Sequence, residues 1–140
     1  ELESINDRLY TVKRMAPILT FPTLSKYEYR TPNDTGTGTT YKSLIILDLA
    51  LLKLSALPVL IHDSLLFSDI WKEPVSNLFA EYAQIEKQSF LAIDGIETFN
   101  EATKATILQA SRLSLGGGED SLFGFSWAVK KKVEDAQSSD

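Results

Sequence analysis

Residues 34–64 read DTGTGTTYKSLIILDLALLKLSALPVLIHDS, and this stretch decides the fold. It predicts a glycine-rich loop, then a helix over about residues 40–55, then a short buried strand over residues 57–61. The helix is apolar almost all round, so we expect it to be central and buried. The helices predicted on either side of the strand favour a parallel sheet.

The loop over residues 31–40 is too polar and too rich in glycine for regular structure. Gly36 and Gly38 permit positive φ and the close approach of another molecule. Backbone amides at the start of a helix can also bind an anion, because the helix dipole adds partial positive charge there. The alternative is a plain surface loop in which a Ser or Thr side chain caps the helix. The sequence leaves both interpretations open.

Polar residues follow two predicted strands at their carboxyl ends, where open α/β sheets bind their ligands. His62, Asp63 and Ser64 come after the first strand, and Asp94 ends the second strand at residues 89–93. Asp63 either holds a metal ion or caps the next turn. For the lone histidine we expect a hydrogen-bonded place beside the core.

The remaining elements follow from apolar spacing and turn residues. Two helices have start signals, Pro74 as a first helical residue and Thr98-x-x-Glu101 as a capping box. Residues 1–14 predict an N-terminal helix, which either packs on the domain or is the stub of a coiled coil. The other predicted elements are, in chain order, strands at 17–21 and 26–30, helices at 74–87 and 98–112, and strands at 112–115 and 121–127. In the last strand Phe123, Phe125 and Trp127 share one face, and a charged, frayed tail follows at 131–140.

Composition limits the function classes. The 140 residues suit one domain, and the net charge of −5 disfavours tight non-specific binding to nucleic acid. There is no cysteine and only one histidine, which excludes disulfides and thiolate metal sites and disfavours zinc and Ser-His-Asp sites. No apolar run is long enough for a membrane span. The chain starts at Glu1 without a signal-peptide pattern, so we expect a piece of a longer cytoplasmic protein.

Four strings, in order, resemble a bacterial domain-of-unknown-function family found at the C-terminal end of SMC-like (structural-maintenance-of-chromosomes) ATPases. They are DTGTGTTYKSLIILDLALL, LPVLIHDSLLF, KQSFLAID and LFGFSW, and the likeness covers roughly residues 1–130. More broadly, the chain is similar to the C-terminal half of an ABC-type ATPase head of the SMC and DNA-repair kind. The resemblance implies an α/β lobe over residues 15–130, with a short, mainly parallel sheet, flanking helices and antiparallel strands at the ends.

The resemblance also implies roles for single residues. Gly36, Thr37 and Gly38 stand where the signature loop lies, which contacts the γ-phosphate of ATP held by the opposite subunit. Asp63 stands at the Walker B aspartate, which supports the hydration shell of Mg²⁺. Asp69 falls near the D-loop aspartate, with the register off by about one residue.

Three departures from the pattern bear on catalysis. Ser64 takes the place of the Walker B glutamate, and a hydroxyl is a poor general base at neutral pH. Asp94 takes the place of the switch histidine. No GxxxxGK[ST] loop is present to cradle the α- and β-phosphates. Whether the parent protein is an active ATPase is therefore open, and we expect no hydrolysis by this chain alone.

The resemblance predicts ATP and Mg²⁺ as cofactors of the full-length protein and none for this chain alone. The expected partners are the N-terminal ATPase lobe of the same parent, a second head joined through ATP, and DNA indirectly, with no membrane. The implied setting is DNA repair, DNA maintenance or phage defence. Two alternatives remain: a stand-alone Mg²⁺-dependent phosphoryl-transfer or nuclease domain, in which Asp63 and Asp94 share a metal ion with Asp69 or Asp34 nearby, and a non-catalytic protein-interaction module.

Overall fold

The computed structural model of the chain describes residues 1–116 and 120–124, and residues 1–110 form one compact unit of mixed α/β structure. Its elements, in chain order, are α1 (Leu2–Arg8), β1 (Ile18–Thr23), β2 (Lys26–Arg30), α2 (Thr37–Leu54), β3 (Val59–His62), α3 (Leu65–Ser68), α4 (Lys72–Ala83), β4 (Gln88–Leu91), a 3₁₀ turn (Ile96–Thr98) and α5 (Glu101–Ala110).

The core lies between the helices and one face of a small sheet. Helix α2 packs against α1 and α3, and α4 packs against α5. Leu60, Leu91 and Ile93 contribute to this core from the strand side. The largest fully buried apolar side chains are Ile5, Leu9, Ile45, Ile46, Leu49, Leu52, Val75 and Leu78.

The described residues form two sheets of two strands each, whereas the resemblance implies a short, mainly parallel sheet with antiparallel strands at the ends. Strands β1 and β2 pair antiparallel, with an irregularity between Thr20 and Thr23. Strands β3 and β4 pair parallel, as predicted, in a register that sets Ile61 opposite Phe90 and His62 opposite Leu91. The carboxyl ends of β3 and β4 therefore lie at the same edge.

Helix α2 is central but is buried on only one side, so the expectation of burial all round is wrong. The helix begins at Thr37, three residues earlier than predicted. Leu44, Leu51 and Leu54 follow one another at helical spacing, and they are 41%, 44% and 73% exposed. The described residues therefore cover this stripe only in part. No helix in the described part of the chain could cross a membrane.

Helix α1 ends at Arg8 rather than near residue 14. The Leu9 amide turns back to the Asn6 carbonyl, and the Asn6 side chain holds the Arg14 carbonyl at 3.0 Å, so the chain folds over its own helix. Val12, which the helical pattern places inside, is 70% exposed.

The start of α5 corrects the predicted capping box. Thr98 ends the preceding 3₁₀ turn, and α5 begins at Glu101. The Asn100 side chain accepts the Thr103 amide at 2.9 Å, so Asn100 is the N-cap. Two acceptable caps stand two residues apart, and the turn before the helix selects the second.

Helix α4 begins at Lys72 instead of Pro74. Pro74 occupies the third helical position, where its missing N–H leaves no intrahelical hydrogen bond unmade.

The residues after Ala110 belong to a second unit. The predicted strand over residues 112–115 is wrong, because these residues have no regular structure. The Gly116 amide donates to the Asp120 carbonyl at 3.0 Å, and residues 121–124 form a turn rather than the start of a strand. Residues 125–127, with the predicted face of Phe125 and Trp127, and the tail at 131–140 lie outside the described residues.

Candidate functional site

The glycine loop ends at the N-cap of α2, beside the carboxylate of Asp34. Gly36 is the N-cap residue of α2, and its amide donates to Asp34 Oδ1 at 3.2 Å. The Thr39 hydroxyl donates to Asp34 Oδ2 at 2.8 Å, and this bond, together with the Gly36 amide, lowers the pKa of Asp34. Within the described residues the amides at positions 37–39 have no hydrogen-bond acceptor. The loop thus presents open amides, but a carboxylate already lies beside them.

Gly38 lies in direct contact with the turn between α3 and α4. A Cβ atom on Gly38 would stand 2.3 Å from the Asp69 carbonyl oxygen. The structure therefore brings the signature-like loop and the backbone of Asp69 together. It also gives Gly38 a packing role within the folded chain that needs no ligand.

Asp63 and Asp94 follow the two paired parallel strands and are both exposed. The Asp63 carbonyl accepts the Leu66 amide at 3.1 Å, and Asp94 Oδ1 accepts the Gly95 amide at 2.8 Å. Ser64, which is half-buried, precedes α3. The two carboxylates thus share one edge of the sheet, the place expected for ligands.

The donor set at this edge is too small to hold a metal ion by itself. Among residues 1–116 and 120–124 no three His, Asp or Glu side chains are grouped as a metal site. Mg²⁺ prefers about six oxygen ligands and commonly takes several of them from water and phosphate. Asp63 fits one such ligand position only if a nucleotide and another lobe supply the rest.

His62 links three elements through its side chain. Its Nε2 lies 3.0 Å from Asp48 Oδ2 on α2, and its Nδ1 lies 2.5 Å from the Tyr82 hydroxyl on α4. We name Asp48, His62 and Tyr82 the His62 bridge. His62 is 5% and Tyr82 is 7% exposed, and burial, followed by the charge of Asp48, raises the pKa of Tyr82. A buried phenol cannot reach a substrate, so the bridge acts on the fold rather than as a nucleophile.

The expectation that His62 is hydrogen-bonded beside the core is confirmed, but the sequence does not predict its partners. Asp48 is the lone acid in the apolar run of α2, and this position is the signal in the sequence that could have identified it as a partner of His62. Tyr82 looks like an ordinary apolar member of a covering helix.

A second polar cluster joins α1 to the start of α2. Lys42 is 3% exposed, and its Nζ donates to Asn6 Oδ1 at 3.2 Å. The ammonium also lies 5.3 Å from the centre of the Tyr10 ring. Burial lowers the pKa of Lys42, and the negative charge of Asp34 opposes that shift. A positive charge is therefore buried close to the loop that would face an anion.

A family model matches most of the chain. Residues 5–127 match the bacterial family DUF2326, described as an uncharacterised protein conserved in bacteria. The chain belongs to the DUF2326 family. Neither the curated proteins nor the solved structures give a match.

The DUF2326 match takes in every element from α2 to α5 and all the site residues named above. It confirms the predicted bacterial family of unknown function. It does not connect that family with SMC-like ATPases, so the roles assigned by that resemblance are proposals.

Proposed function

We propose that this DUF2326 chain is the C-terminal lobe of an SMC-like ATPase head. In this proposal it supplies the signature-like loop at Gly36, Thr37 and Gly38 and a Walker B-like carboxylate, Asp63, to an ATP-dependent dimer of heads. In the proposal Asp69 stands near the D-loop aspartate and Asp94 at the switch-histidine position, and Ser64 takes no part as a base. ATP and Mg²⁺ would bind only to the assembled protein, which acts in DNA repair, DNA maintenance or phage defence.

The observation that carries the proposal is a parallel sheet with one uncovered apolar face. Leu60 and Leu91 point into the core, whereas the alternate residues Val59, Ile61 and Phe90 are 38%, 71% and 51% exposed. Parallel sheets occur almost only with both faces covered. Two paired strands alone are also marginal. A sheet of this kind favours a lobe that is completed by another lobe.

The free energy that covering the sheet face would contribute supports a specific partner. Fully burying a Val, Ile or Phe side chain is worth roughly 1.5–3 kcal/mol. These three side chains are about half exposed on average, so covering them would add on the order of 3 kcal/mol. The partly covered stripe of α2 adds to this driving force. Within the described residues β3 and β4 pair only with each other, which leaves each with an open edge for a further strand.

The choice of an ATPase lobe as the partner rests on the sequence resemblance and on the open amides at positions 37–39. The independent Mg²⁺ site of the nuclease alternative has only the shared edge of Asp63 and Asp94 in its favour, because the described residues contain no group of three metal-ligating side chains. The non-catalytic interaction module is an outcome of the experiment below.

The test mixes this chain with the N-terminal lobe of its parent protein and measures assembly by size exclusion and Mg²⁺-ATP binding by calorimetry. We expect ATP binding only in the mixture. Ile61→Asp should abolish assembly, because it places a charge on the uncovered sheet face. Leu24→Asp is the matched control, since Leu24 is fully exposed on the β1–β2 turn, away from that face.

Two further variants separate the proposed roles. Asp63→Asn should assemble normally and lose the Mg²⁺-dependent part of ATP binding. Thr37→Asp should bind ATP and fail to form the dimer of heads, because its charge would face the γ-phosphate. Assembly without any ATP binding would establish the interaction module instead. Equal assembly by Ile61→Asp and wild type would refute the role of the sheet face.

A further inference from the structure

The His62 bridge meets both strand ends that carry the proposed site. Its side chain joins α2 to α4, through Asp48 and Tyr82. In addition, the His62 carbonyl accepts the Ala92 amide at 3.0 Å, which continues the pairing beyond β4 toward Asp94. One residue therefore connects the helix that begins at the loop, the end of β3 and the segment after β4.

The chemistry of the bridge fixes the tautomer of the histidine. An ionised carboxylate has no proton to donate, so the bond to Asp48 places the proton on Nε2. In the neutral imidazole Nδ1 then has no proton and accepts the hydroxyl proton of Tyr82. Each ring nitrogen has one partner, which holds the ring in one orientation.

The surroundings of β3 make this restraint important. The strand has four residues, and two of them, Val59 and Ile61, lie on the uncovered face. Asp63 is the next residue along the chain and is itself exposed. The pairing with β4 holds β3 on one side only, and the His62 bridge adds a restraint from α2 and α4 at the end of the strand.

We propose that His62 is a positioning residue that holds Asp63 at a fixed place relative to α2 and the loop at its start. This inference rests on the proposed function for its consequence, which is that Mg²⁺-dependent ATP binding depends on the bridge. Groups that orient a metal ligand commonly change metal affinity by about 10- to 100-fold when they are removed.

The first measurement uses this chain without nucleotide. His62 is its only histidine, so the imidazole NMR signals are unambiguous. We expect the Nε2–H tautomer in the wild type and its loss in Asp48→Ala. Tyr82→Phe should move the amide signals of Asp63 and Ser64. Tyr29→Phe is the matched control, because it also removes a hydroxyl that bonds α2, at the Ser43 carbonyl, and leaves both hydrogen bonds of the His62 bridge in place.

Two substitutions at His62 itself separate the two hydrogen bonds of the His62 bridge. An asparagine amide reaches the position of Nδ1 and can bond only Tyr82, whereas a glutamine amide reaches the position of Nε2 and can bond only Asp48. Each should displace the Asp63 signals less than His62→Ala does. His62→Leu has nearly the shape of His62→Asn but no hydrogen-bonding group, so it should give no such rescue, and a rescue equal to that of asparagine would show that the ring merely fills space.

The second measurement uses the assembled protein. Tyr82→Phe should weaken ATP binding about tenfold in the presence of Mg²⁺ and leave Mg²⁺-free binding unchanged, while Tyr29→Phe should change neither. An equal loss with and without Mg²⁺ would show a general structural role and overturn the inference. If the wild type does not bind ATP at all, the proposed function fails, and the NMR result alone decides on positioning. Asp63 signals that move no more in Tyr82→Phe than in Tyr29→Phe would refute it.

Discussion

Replacing Gly38 with alanine should destabilise the chain, although the same change inside a helix normally stabilises it by about 0.5–1 kcal/mol. The new Cβ atom would lie 2.3 Å from the Asp69 carbonyl oxygen. Carbon–oxygen contacts of this kind begin near about 3.3 Å, so the start of α2 and the turn must separate by about 1 Å. Overpacking costs about 1–3 kcal/mol, and an obstruction made of backbone falls in the upper half of that range. The net loss should be about 1–2 kcal/mol.

Urea denaturation measures this loss directly. With a slope of about 1–3 kcal/mol per molar urea, the midpoint should fall by roughly 0.5–1 M. Gly36→Ala is the matched control, because its Cβ atom would lie 3.5 Å from Asp34 Oδ1, an ordinary contact, and φ is −63°. That variant should change stability by less than about 0.5 kcal/mol. A Gly38→Ala protein as stable as wild type would refute the close approach of Asp69 to α2.

The remaining predictions concern three polar contacts, each checked by urea denaturation. Glu81→Gln should cost about 2 kcal/mol at neutral pH, because Glu81 is buried and pairs with the partly exposed Arg8 and with Lys53. The bond from Arg8 lowers the pKa of Glu81. The stabilisation by ionised Glu81 is therefore present above the usual glutamate pKa and is lost as the pH falls through the lowered pKa. If Glu81→Gln cost as much in acid as at neutral pH, this reasoning would be wrong. Lys87→Met should cost about 1–2 kcal/mol, because the ammonium donates to the Leu52 and Ser55 carbonyls at the end of α2, whereas the exposed Lys26→Met should be nearly neutral. Asn100→Ala should cost about 1 kcal/mol and Thr98→Ala much less. A larger cost for Thr98→Ala than for Asn100→Ala would support the capping box that the sequence predicts at Thr98.

The sequence predicts well those features that depend on neighbouring residues. Apolar runs bounded by turns locate β3 and β4, and the order of helices and strands indicates parallel pairing. Parallel pairing in turn places Asp63 and Asp94, which follow the two strands, at one edge of the sheet. The glycine loop and the helix after it are also predicted, with an error of three residues at the helix start.

Features that depend on distant partners could not be predicted in this way. His62 bonds residues 14 and 20 positions away, and only the packing of α2 and α4 brings them together. The predicted burial of α2 is too high. An apolar composition shows that a helix gains by being buried, but it does not show that another part of the chain packs against every side of it. Gly38 looks like a ligand-binding glycine in the sequence, and its contact with Asp69 depends on how the turn before α4 returns to the loop.

The uncovered face of the β3–β4 sheet also determines how the isolated chain responds to salt. Contacts between apolar surfaces strengthen in sulfate, because this anion is excluded from the protein surface. Attraction between opposite charges weakens as salt is added, because the Debye length shortens. Any self-association of the isolated chain through this face should thus increase in ammonium sulfate and persist in sodium chloride. Ile61→Asp should keep the chain monomeric in both salts.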